Sequence, residues 1–250
     1  VRMEGESFTL VWMSDTQHYS GSYPKTFRTM SDWIVENREK RGIQYVIHTG
    51  DVVHTRKKAA QWTNAQHAPA ELLQALPFFL VAGNHDTGTD SPNFGEFSRL
   101  FGPKPFENLP SLGGFYGEGV GRYDLFSAGG RDFIIAGLSY GHNKQAVFWL
   151  NDVLAQHQDR IAILAFHSYL DVNGKLTSHG KKLFAEVVEK NPNVHLVLCG
   201  HKHGVNRRVS DIDDDGDGKT DRQVYQLLCN YQGAKQGGQG YMCLLKFDFG

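Results

Sequence analysis

Short apolar runs alternate with helix-like segments along most of the chain. Five of these runs have the length and the β-branched content of buried strands, and they lie at residues 7–13, 45–49, 78–82, 161–166 and 194–199. The segments between them carry apolar residues at helical spacing, which predicts helices at 24–41, 62–73, 143–158 and 181–190. This order is typical of parallel strands joined by right-handed crossovers, whose carboxyl ends meet at one edge of a sheet.

The pattern changes between residues 90 and 141, where glycine and proline become frequent. Short strand-like runs there predict hairpins in a second sheet, and they lie at 115–120, 122–128 and 131–138. Runs near the end of the chain predict further strands that complete a mixed sheet, at 205–209, 223–228 and 241–249. The chain shows no internal repeat, and we expect one domain over residues 1–250.

Composition narrows the choice of function. The formal net charge of −1 gives no attraction to nucleic acid or to an anionic membrane, and the sequence lacks a basic, aromatic-interleaved patch. No apolar run approaches the ~20 residues that cross a bilayer. The chain has three cysteines, Cys199, Cys229 and Cys243, so they cannot all form disulfide bonds within the chain. Each lies in an apolar stretch of sequence, which predicts buried free thiols.

Polar side chains follow the predicted strands at the points where the strands end. They are Asp15 and Gln17, Asp51, Asn84 with His85 and Asp86, His167, and His201 with His203. In an extended segment, the histidines at 201 and 203 project to the same side. Each of these residues is a metal ligand or a general acid or base by type. If the strands are neighbours, so many donors suit two divalent ions better than one.

These motifs resemble those of the calcineurin-like metallophosphoesterase superfamily. Its ordered pattern is Asp-x-His, Gly-Asp, Gly-Asn-His-Asp/Glu, a lone His and Gly-His-x-His, and the match runs from Asp15 to His203. The resemblance implies an α/β fold, a four-layer α/β/β/α sandwich of two mixed sheets. It also implies one ion held by Asp15, Gln17, Asp51 and His203, and a second held by Asp51, Asn84, His167 and His201, so that Asp51 bridges them.

The first motif departs from the family pattern, because Gln17 stands where the family usually has histidine. An amide oxygen is a harder and weaker donor than an imidazole nitrogen. This favours Mn, Fe, Mg or Ca over Zn at the first position. His18 is an alternative ligand, but in an extended segment it points away from Asp15.

The expected chemistry is attack on phosphorus by a hydroxide that bridges the two ions. His85 is the candidate general acid for the leaving group, and Asp86 is expected to orient its imidazole. The alternative for His85 is a supporting role without proton transfer. We therefore expect a metal-dependent phosphate ester hydrolase with a small phosphate-ester substrate.

The substrate is expected to be a phosphodiester. Phosphoprotein phosphatases of the superfamily carry arginines after the Gly-Asp and Asn-His motifs, and this chain lacks them there, so a dianionic monoester would lose its usual clamp. Arg56 or His54 could compensate, which leaves a phosphomonoesterase as an alternative. A further alternative is a calcium-stabilised binding module or a pseudoenzyme that retains the fold. Tyr169, His142 and residues 230–233 either line the cleft or pack beneath it.

An acidic segment near residue 215 has the opening pattern of a calcium loop. Its candidate ligands for a structural Ca²⁺ are Asp211, Asp213, Asp215 and Asp217, but Arg222 stands where the closing glutamate would be. The alternative is a solvated acidic loop. Weak sites of this kind suit extracellular modules, so we expect a periplasmic or extracellular protein, with the cytoplasm as the other option.

Overall fold

The computed structural model describes residues 7–249, which form two mixed β-sheets with helices on their outer faces. The strands are β1 (Phe8–Met13), β2 (Ile43–His48), β3 (Phe78–Leu80), β4 (Leu112–Tyr116), β5 (Gly121–Ala128), β6 (Arg131–Leu138), β7 (Ile161–Phe166), β8 (Val194–Cys199), β9 (Gly204–Ile212), β10 (Arg222–Asn230) and β11 (Cys243–Phe247). The helices are α1 (Gln17–Ser22), α2 (Pro24–Glu36), α3 (Arg38–Arg41), α4 (Ala59–His67), α5 (Ala70–Ala75), α6 (Asn84–Thr87), α7 (Gly95–Phe101), α8 (Pro103–Phe106), α9 (Lys144–Gln156), α10 (Ser178–Leu183) and α11 (Lys235–Gly238), and a π-helical turn spans Phe184–Val188.

The two sheets differ in size but both place parallel strands at their centre. The smaller sheet has the order β11-β1-β2-β3, in which β1, β2 and β3 are parallel and β11 is antiparallel to β1. The larger sheet has the order β4-β5-β6-β7-β8-β10-β9, with β6, β7, β8 and β10 parallel. Parallel strands need both faces covered, and all six residues of β1 are buried.

Three apolar cores hold the four layers together. The central core lies between the sheets, where Trp12 and Ile47 of the smaller sheet pack with Ile135 and Leu198 of the larger one. The outer face of the smaller sheet packs against α2, α4 and α5, and the outer face of the larger sheet packs against α9 and α10. This is the expected α/β/β/α sandwich. No helix within residues 7–249 is long and apolar enough to cross a membrane.

The apolar runs predicted the central strands well, and β7 and β8 begin and end at the predicted residues. Helical spacing placed helices correctly but merged neighbours. The predicted helix at 24–41 breaks at Asn37, and its predicted end at Gly42 is confirmed by a left-handed φ of 59°. The predicted helix at 62–73 is two helices, because Pro69 has no N–H with which to continue the first.

Three expectations about the fold are wrong. The segment after β1 is not extended, because α1 begins at Gln17 and buries Tyr19 and Ser20. Two short helices occupy residues 95–106, where only hairpins were expected. The last three strands do not share one sheet: β9 and β10 join the larger sheet, whereas β11 pairs with β1.

Candidate metal centre

The predicted ligands lie at the carboxyl ends of the parallel strands of both sheets. Asp15, Asp51 and Asn84 follow β1, β2 and β3, and His167 and His201 follow β7 and β8. The ligands therefore lie between the carboxyl edges of two facing sheets, as the four-layer sandwich implies. Loops at strand ends can turn sharply toward one point, which strands themselves cannot do.

Three of these ligands have left-handed backbone conformations. The φ values are 54° at Asp15, 57° at Asp51 and 68° at His201. Residues other than glycine rarely adopt this region, and such strain persists where the surroundings over-determine it and concentrates at functional sites. Here each strand ends in a tight turn, and the residue in that turn is a candidate ligand.

Asp51 lies at the centre of the group. Its side chain is 2% exposed, and its Oδ2 atom is 3.3 Å from the amide of Gln17 on one side and 3.3 Å from His167 Nε2 on the other. Its Oδ1 atom accepts a hydrogen bond from the His85 main-chain N–H at 2.8 Å. Asp51 therefore contacts residues of both predicted ligand sets.

The imidazole of His167 is held in the tautomer that a metal ligand needs. Its Nδ1 donates to the Thr49 carbonyl at 2.9 Å, which leaves Nε2 facing Asn84 Oδ1 at 3.0 Å and Asp51 Oδ2 at 3.3 Å. His201 joins this group, since one ligand atom from each of Asp51, His167 and His201 lies within 4.8 Å of the others. Three atoms that prefer to accept protons or bind cations therefore face one another.

Asp15 is supported by residues from distant parts of the chain. One carboxylate oxygen accepts from the His201 main-chain N–H at 3.0 Å and from the Ser14 hydroxyl, and the other accepts from Gln232 Nε2 at 3.0 Å. A Cβ at Gly200 would overlap the Asp15 carboxylate, so only glycine fits there. These contacts fix the carboxylate before any ligand binds.

Gln17 is oriented by the main chain. When its amide is turned so that both atoms are satisfied, the nitrogen donates to the carbonyls of Asp15 at 2.8 Å and Asp51 at 3.1 Å. The oxygen then faces the Asp51 carboxylate. Two facing oxygens repel each other unless a cation lies between them, so this position suits an oxygen donor to a metal.

Burial and mutual charge shift the pKa values of the group. Burial raises the pKa of Asp15 to about 7, and the charge of Asp51 adds to this rise. Burial acts in the same direction on Asp51, but His167 outweighs it and holds that pKa below its usual value. Burial lowers the pKa of His167, yet Asp51 raises it to a net value of about 9. Burial lowers the pKa of His201 to about 4.

The residues fit a divalent metal centre. Two buried carboxylates, an amide oxygen, and histidines held for coordination are typical donors for such ions. In the metal-free chain the carboxylate of Asp51, 3.3 Å from His167 Nε2, favours a proton on that atom, which raises the pKa of His167. A divalent ion would replace that proton and neutralise the carboxylates.

His203 is less involved than the resemblance implied. Its side chain is exposed, it lies against Gly233, and it is not a member of the group formed by Asp51, His167 and His201. His18, the alternative ligand, does not lie in an extended segment, because it is part of α1. Its ring stacks on that of His54, with ring centroids 5.2 Å apart. The role of His203 as a ligand stays a prediction.

His85 lies at the rim of the centre. Its side chain is 35% exposed, its Nε2 atom is 4.0 Å from Asp51 Oδ2, and its Nδ1 atom donates to the His54 carbonyl at 2.8 Å. The His54 ring stacks on it, with centroids 5.1 Å apart. The imidazole is therefore oriented by His54.

The prediction that Asp86 orients the His85 imidazole is wrong. The Asp86 carboxylate points into the protein and accepts main-chain hydrogen bonds from Val52, Val53 and Gly83, at 2.9, 3.0 and 2.8 Å. The physical reason is the short helix α6, in which consecutive side chains are turned about 100° from each other, so that residues 85 and 86 face different surroundings. Asp86 thus ties the loop that carries Asp51 to the loop that carries Asn84.

The other cleft candidates divide between packing and support. Tyr169 is fully buried, and its hydroxyl donates to Gln226, so it packs beneath the site. Arg56 donates to the Thr87 carbonyl at 2.5 Å. Within residues 230–233, Gln232 contacts both Asp15 and Gln17. The sequence pointed to this segment but not to Gln232 itself, because the partners of Gln232 are more than 200 residues away in the chain.

The acidic loop gathers a different set of carboxylates from the predicted one. Asp213 and Asp215 lie together with Asp221, whereas Asp211 accepts from Gln223 and Asp217 pairs with Lys219. Arg222, the residue at the closing position, is buried and bonds to Asp214. The predicted ligands Asp211 and Asp217 thus lie outside the cluster, and calcium binding by this loop stays a prediction.

Comparison with known proteins agrees with the geometry. The family model described as calcineurin-like phosphoesterase matches residues 8–205. An uncharacterised protein of Bacillus subtilis, YvnB, is 44% identical over 244 residues, which are 97% of this chain but 19% of that protein. A probable cyclic nucleotide phosphodiesterase of Colwellia psychrerythraea is 24% identical over 165 residues, 65% of this chain and 56% of that protein. The chain therefore spans only part of these relatives.

Solved structures share the fold. A purple acid phosphatase from yellow lupin seeds superposes with a TM-score of 0.60 at 15% identity, over 90% of this chain and 44% of that one. TT1561 of Thermus thermophilus superposes with a TM-score of 0.59 at 13% identity, over 97% and 99% of the two chains. With the family model matching most of its length and the ligand motifs meeting between two facing sheets, this chain belongs to the calcineurin-like phosphoesterase family.

Proposed function

We propose that this chain hydrolyses small phosphate diesters with a centre of two divalent metal ions. The observation that carries the proposal is the position of Asp51, whose Oδ2 atom lies 3.3 Å from the Gln17 amide and 3.3 Å from His167 Nε2. A carboxylate between two ligand sets is the arrangement that a bridging ligand needs. The family membership supports hydrolysis of a phosphoester bond.

The chain's own residues prepare the site for an anionic phosphoryl group. Bound divalent ions would supply activated water and would neutralise charge in the transition state. Two divalent ions would carry four positive charges, and the carboxylates of Asp15 and Asp51 would neutralise only two of them. The metal-loaded cleft would therefore be positive although the whole chain carries a net charge of −1. Asn84 and His167, in contact at 3.0 Å, hold the second position rigidly.

His85 is suited to protonate the leaving group. Its Nδ1–H is committed to the His54 carbonyl, so Nε2 is the ring atom that delivers a proton to the leaving oxygen. That atom points to the same side as Asp51, at 4.0 Å. Partial exposure leaves room for the departing alcohol.

The surroundings favour a diester over a monoester. A monoester dianion is best held by a bidentate arginine, but the guanidinium of Arg56 donates to the Thr87 carbonyl and packs against Gly88. The rim instead carries the stacked imidazoles of His54 and His85, and a single hydrogen bond from such a ring suits a monoanion. The Colwellia relative, described as a probable cyclic nucleotide phosphodiesterase, is consistent with this choice.

The test is a comparison of bis-(p-nitrophenyl) phosphate with p-nitrophenyl phosphate after loading with Mn²⁺. We expect a larger kcat/KM for the diester, by about tenfold or more, since the missing clamp costs the dianion at least one strong ion pair. Asp51→Asn should abolish turnover of both, and the exposed Asp152→Asn should keep it. Absence of turnover with Mn²⁺, Fe²⁺, Mg²⁺, Ca²⁺ and Zn²⁺ would support a binding module instead, and preference for the monoester would refute the diester assignment.

A further inference from the structure

A cluster of rings lies against the second metal position and has no part in the chemistry described above. Tyr140 stacks on His201 with ring centroids 6.3 Å apart and meets His167 edge-on at 6.1 Å. His179 packs against Tyr140 at 6.3 Å and against His142 at 5.0 Å. We call Tyr140, His142 and His179 the ring wall.

The ring wall is built from two separate elements that are both anchored. The main-chain N–H of Tyr140 donates to Ala82 at 2.8 Å and its carbonyl accepts from Thr87 at 3.3 Å, which fixes the residue beside the end of β3. His179 lies in the first turn of α10, whose N-cap Thr177 accepts from the Gly180 N–H. The rings are therefore held at the metal centre by main-chain contacts.

Polar atoms of the ring wall remain available to a ligand. The hydrogen bonds of Tyr140 involve its main chain, so its phenol hydroxyl has no hydrogen-bond partner among the described residues. His142 commits Nδ1 to the Ser139 carbonyl at 2.9 Å and keeps Nε2 as an acceptor. All three rings are only partly buried, so a bound group can reach them.

The surroundings favour the uncharged form of the two histidines in the ring wall. Burial lowers the pKa of His179 to about 4, and burial also lowers the pKa of His142. The positive charge of Lys182 acts on His179, so the surroundings disfavour a cationic group such as a quaternary ammonium. Neutral aromatic faces with hydrogen-bonding edges suit an uncharged planar ring.

We propose that the ring wall of Tyr140, His142 and His179 binds a nucleobase carried by the ester group that stays on the phosphate. The assignment to the retained group follows from His85, which belongs to a different ring cluster with His54 and His18 and serves the leaving group there. The substrate class is then a small nucleotide diester. This inference rests on the proposed diesterase function.

Two diesters with the same leaving group test the inference. The p-nitrophenyl ester of thymidine 5′-phosphate retains a nucleoside after hydrolysis, whereas methyl p-nitrophenyl phosphate retains a methyl group. We expect kcat/KM to favour the nucleoside ester, and Tyr140→Leu and His179→Leu each to lower that ratio about tenfold because base stacking is lost. Tyr140→Phe should retain most of the ratio. Tyr225→Leu, at an exposed tyrosine of β10, should leave it unchanged.

Binding to the Mn²⁺-loaded chain separates this inference from the proposed function. Calorimetry should show tighter binding of thymidine 5′-phosphate than of methyl phosphate, and Tyr140→Leu should remove the difference. If neither ester is hydrolysed, the proposed diesterase function fails, but a binding difference that depends on Tyr140 still supports the nucleobase site. Equal binding of the two phosphates, or ratios that do not change in either ring-wall variant, would overturn the inference.

Discussion

Gln232→Ala removes a side chain that holds Asp15 and Gln17, two predicted ligands of the proposed first metal position. Gln232 Nε2 lies 3.0 Å from the Asp15 carboxylate and 3.2 Å from the oxygen of the turned Gln17 amide, and the residue is 8% exposed. Without it, Asp15 and Gln17 keep their main-chain contacts but lose the partner that joins them. We expect the first ion to bind more weakly and the second to be unaffected.

The magnitude follows from the hydrogen bonds that are lost. A bond to a carboxylate is worth about 1.5–3 kcal/mol and a neutral bond about 0.5–1.5 kcal/mol. Both hydrogen bonds exist before the metal binds. Their loss therefore changes the metal affinity only to the extent that they orient Asp15 and Gln17 for coordination. Partners behind metal ligands typically contribute about 10- to 100-fold to metal affinity, which is about 1.4–2.7 kcal/mol.

Calorimetric titration of the metal-free chain with Mn²⁺ measures this effect. Wild type should show two binding steps, and in Gln232→Ala one step should weaken about 10- to 100-fold while the other stays in place. The matched control is Gln223→Ala, at an exposed glutamine of β10, the strand that precedes Gln232 in the chain. Two unchanged steps, or two steps weakened equally, would refute the assignment of Gln232 to the first position.

Three further changes test separate parts of the site. Asp86→Ala should lower the free energy of unfolding by about 2 kcal/mol or more in urea titrations, because three buried N–H donors lose their acceptor; unchanged stability would contradict this. His85→Ala should lower kcat about 10²- to 10⁴-fold with unchanged unfolding, and a loss confined to KM would contradict proton transfer. Metal affinity should rise about tenfold per pH unit from pH 7 to 9, because metal binding displaces the proton of His167, whose pKa is about 9. Below pH 7 the affinity should rise more steeply with pH, because metal binding then also displaces a proton from Asp15, whose pKa is about 7. Calorimetry at several pH values measures this dependence, and a flat profile would contradict it.

The sequence predicted those parts of the site that depend on local pattern. A buried strand reads as an apolar run, and the first polar residue after it marks the sheet edge, so Asp51, Asn84, His167 and His201 could be found without a structure. The family pattern then supplied their order. The fold class followed from the same runs together with the resemblance.

The remaining features depend on contacts between distant residues. Gln232 meets Gln17 across 215 residues of sequence, and no local pattern marks that pairing. The helix at Gln17 forms because Tyr19 and Ser20 are buried by neighbouring elements, although its own sequence has no apolar period. Asp86 was assigned to the wrong partner because adjacency in sequence suggested His85, whereas the helical turn directs it to the loop after β2.

The metal content of the chain tests the central claim most directly. After reconstitution with Mn²⁺ and removal of excess ions, elemental analysis should give two ions per chain for wild type and for the surface variant Asp152→Asn. Asp51→Asn should retain fewer than one, because the carboxylate between Gln17 and His167 belongs to both positions. A single ion in wild type, or two ions retained in Asp51→Asn, would contradict a centre bridged by Asp51.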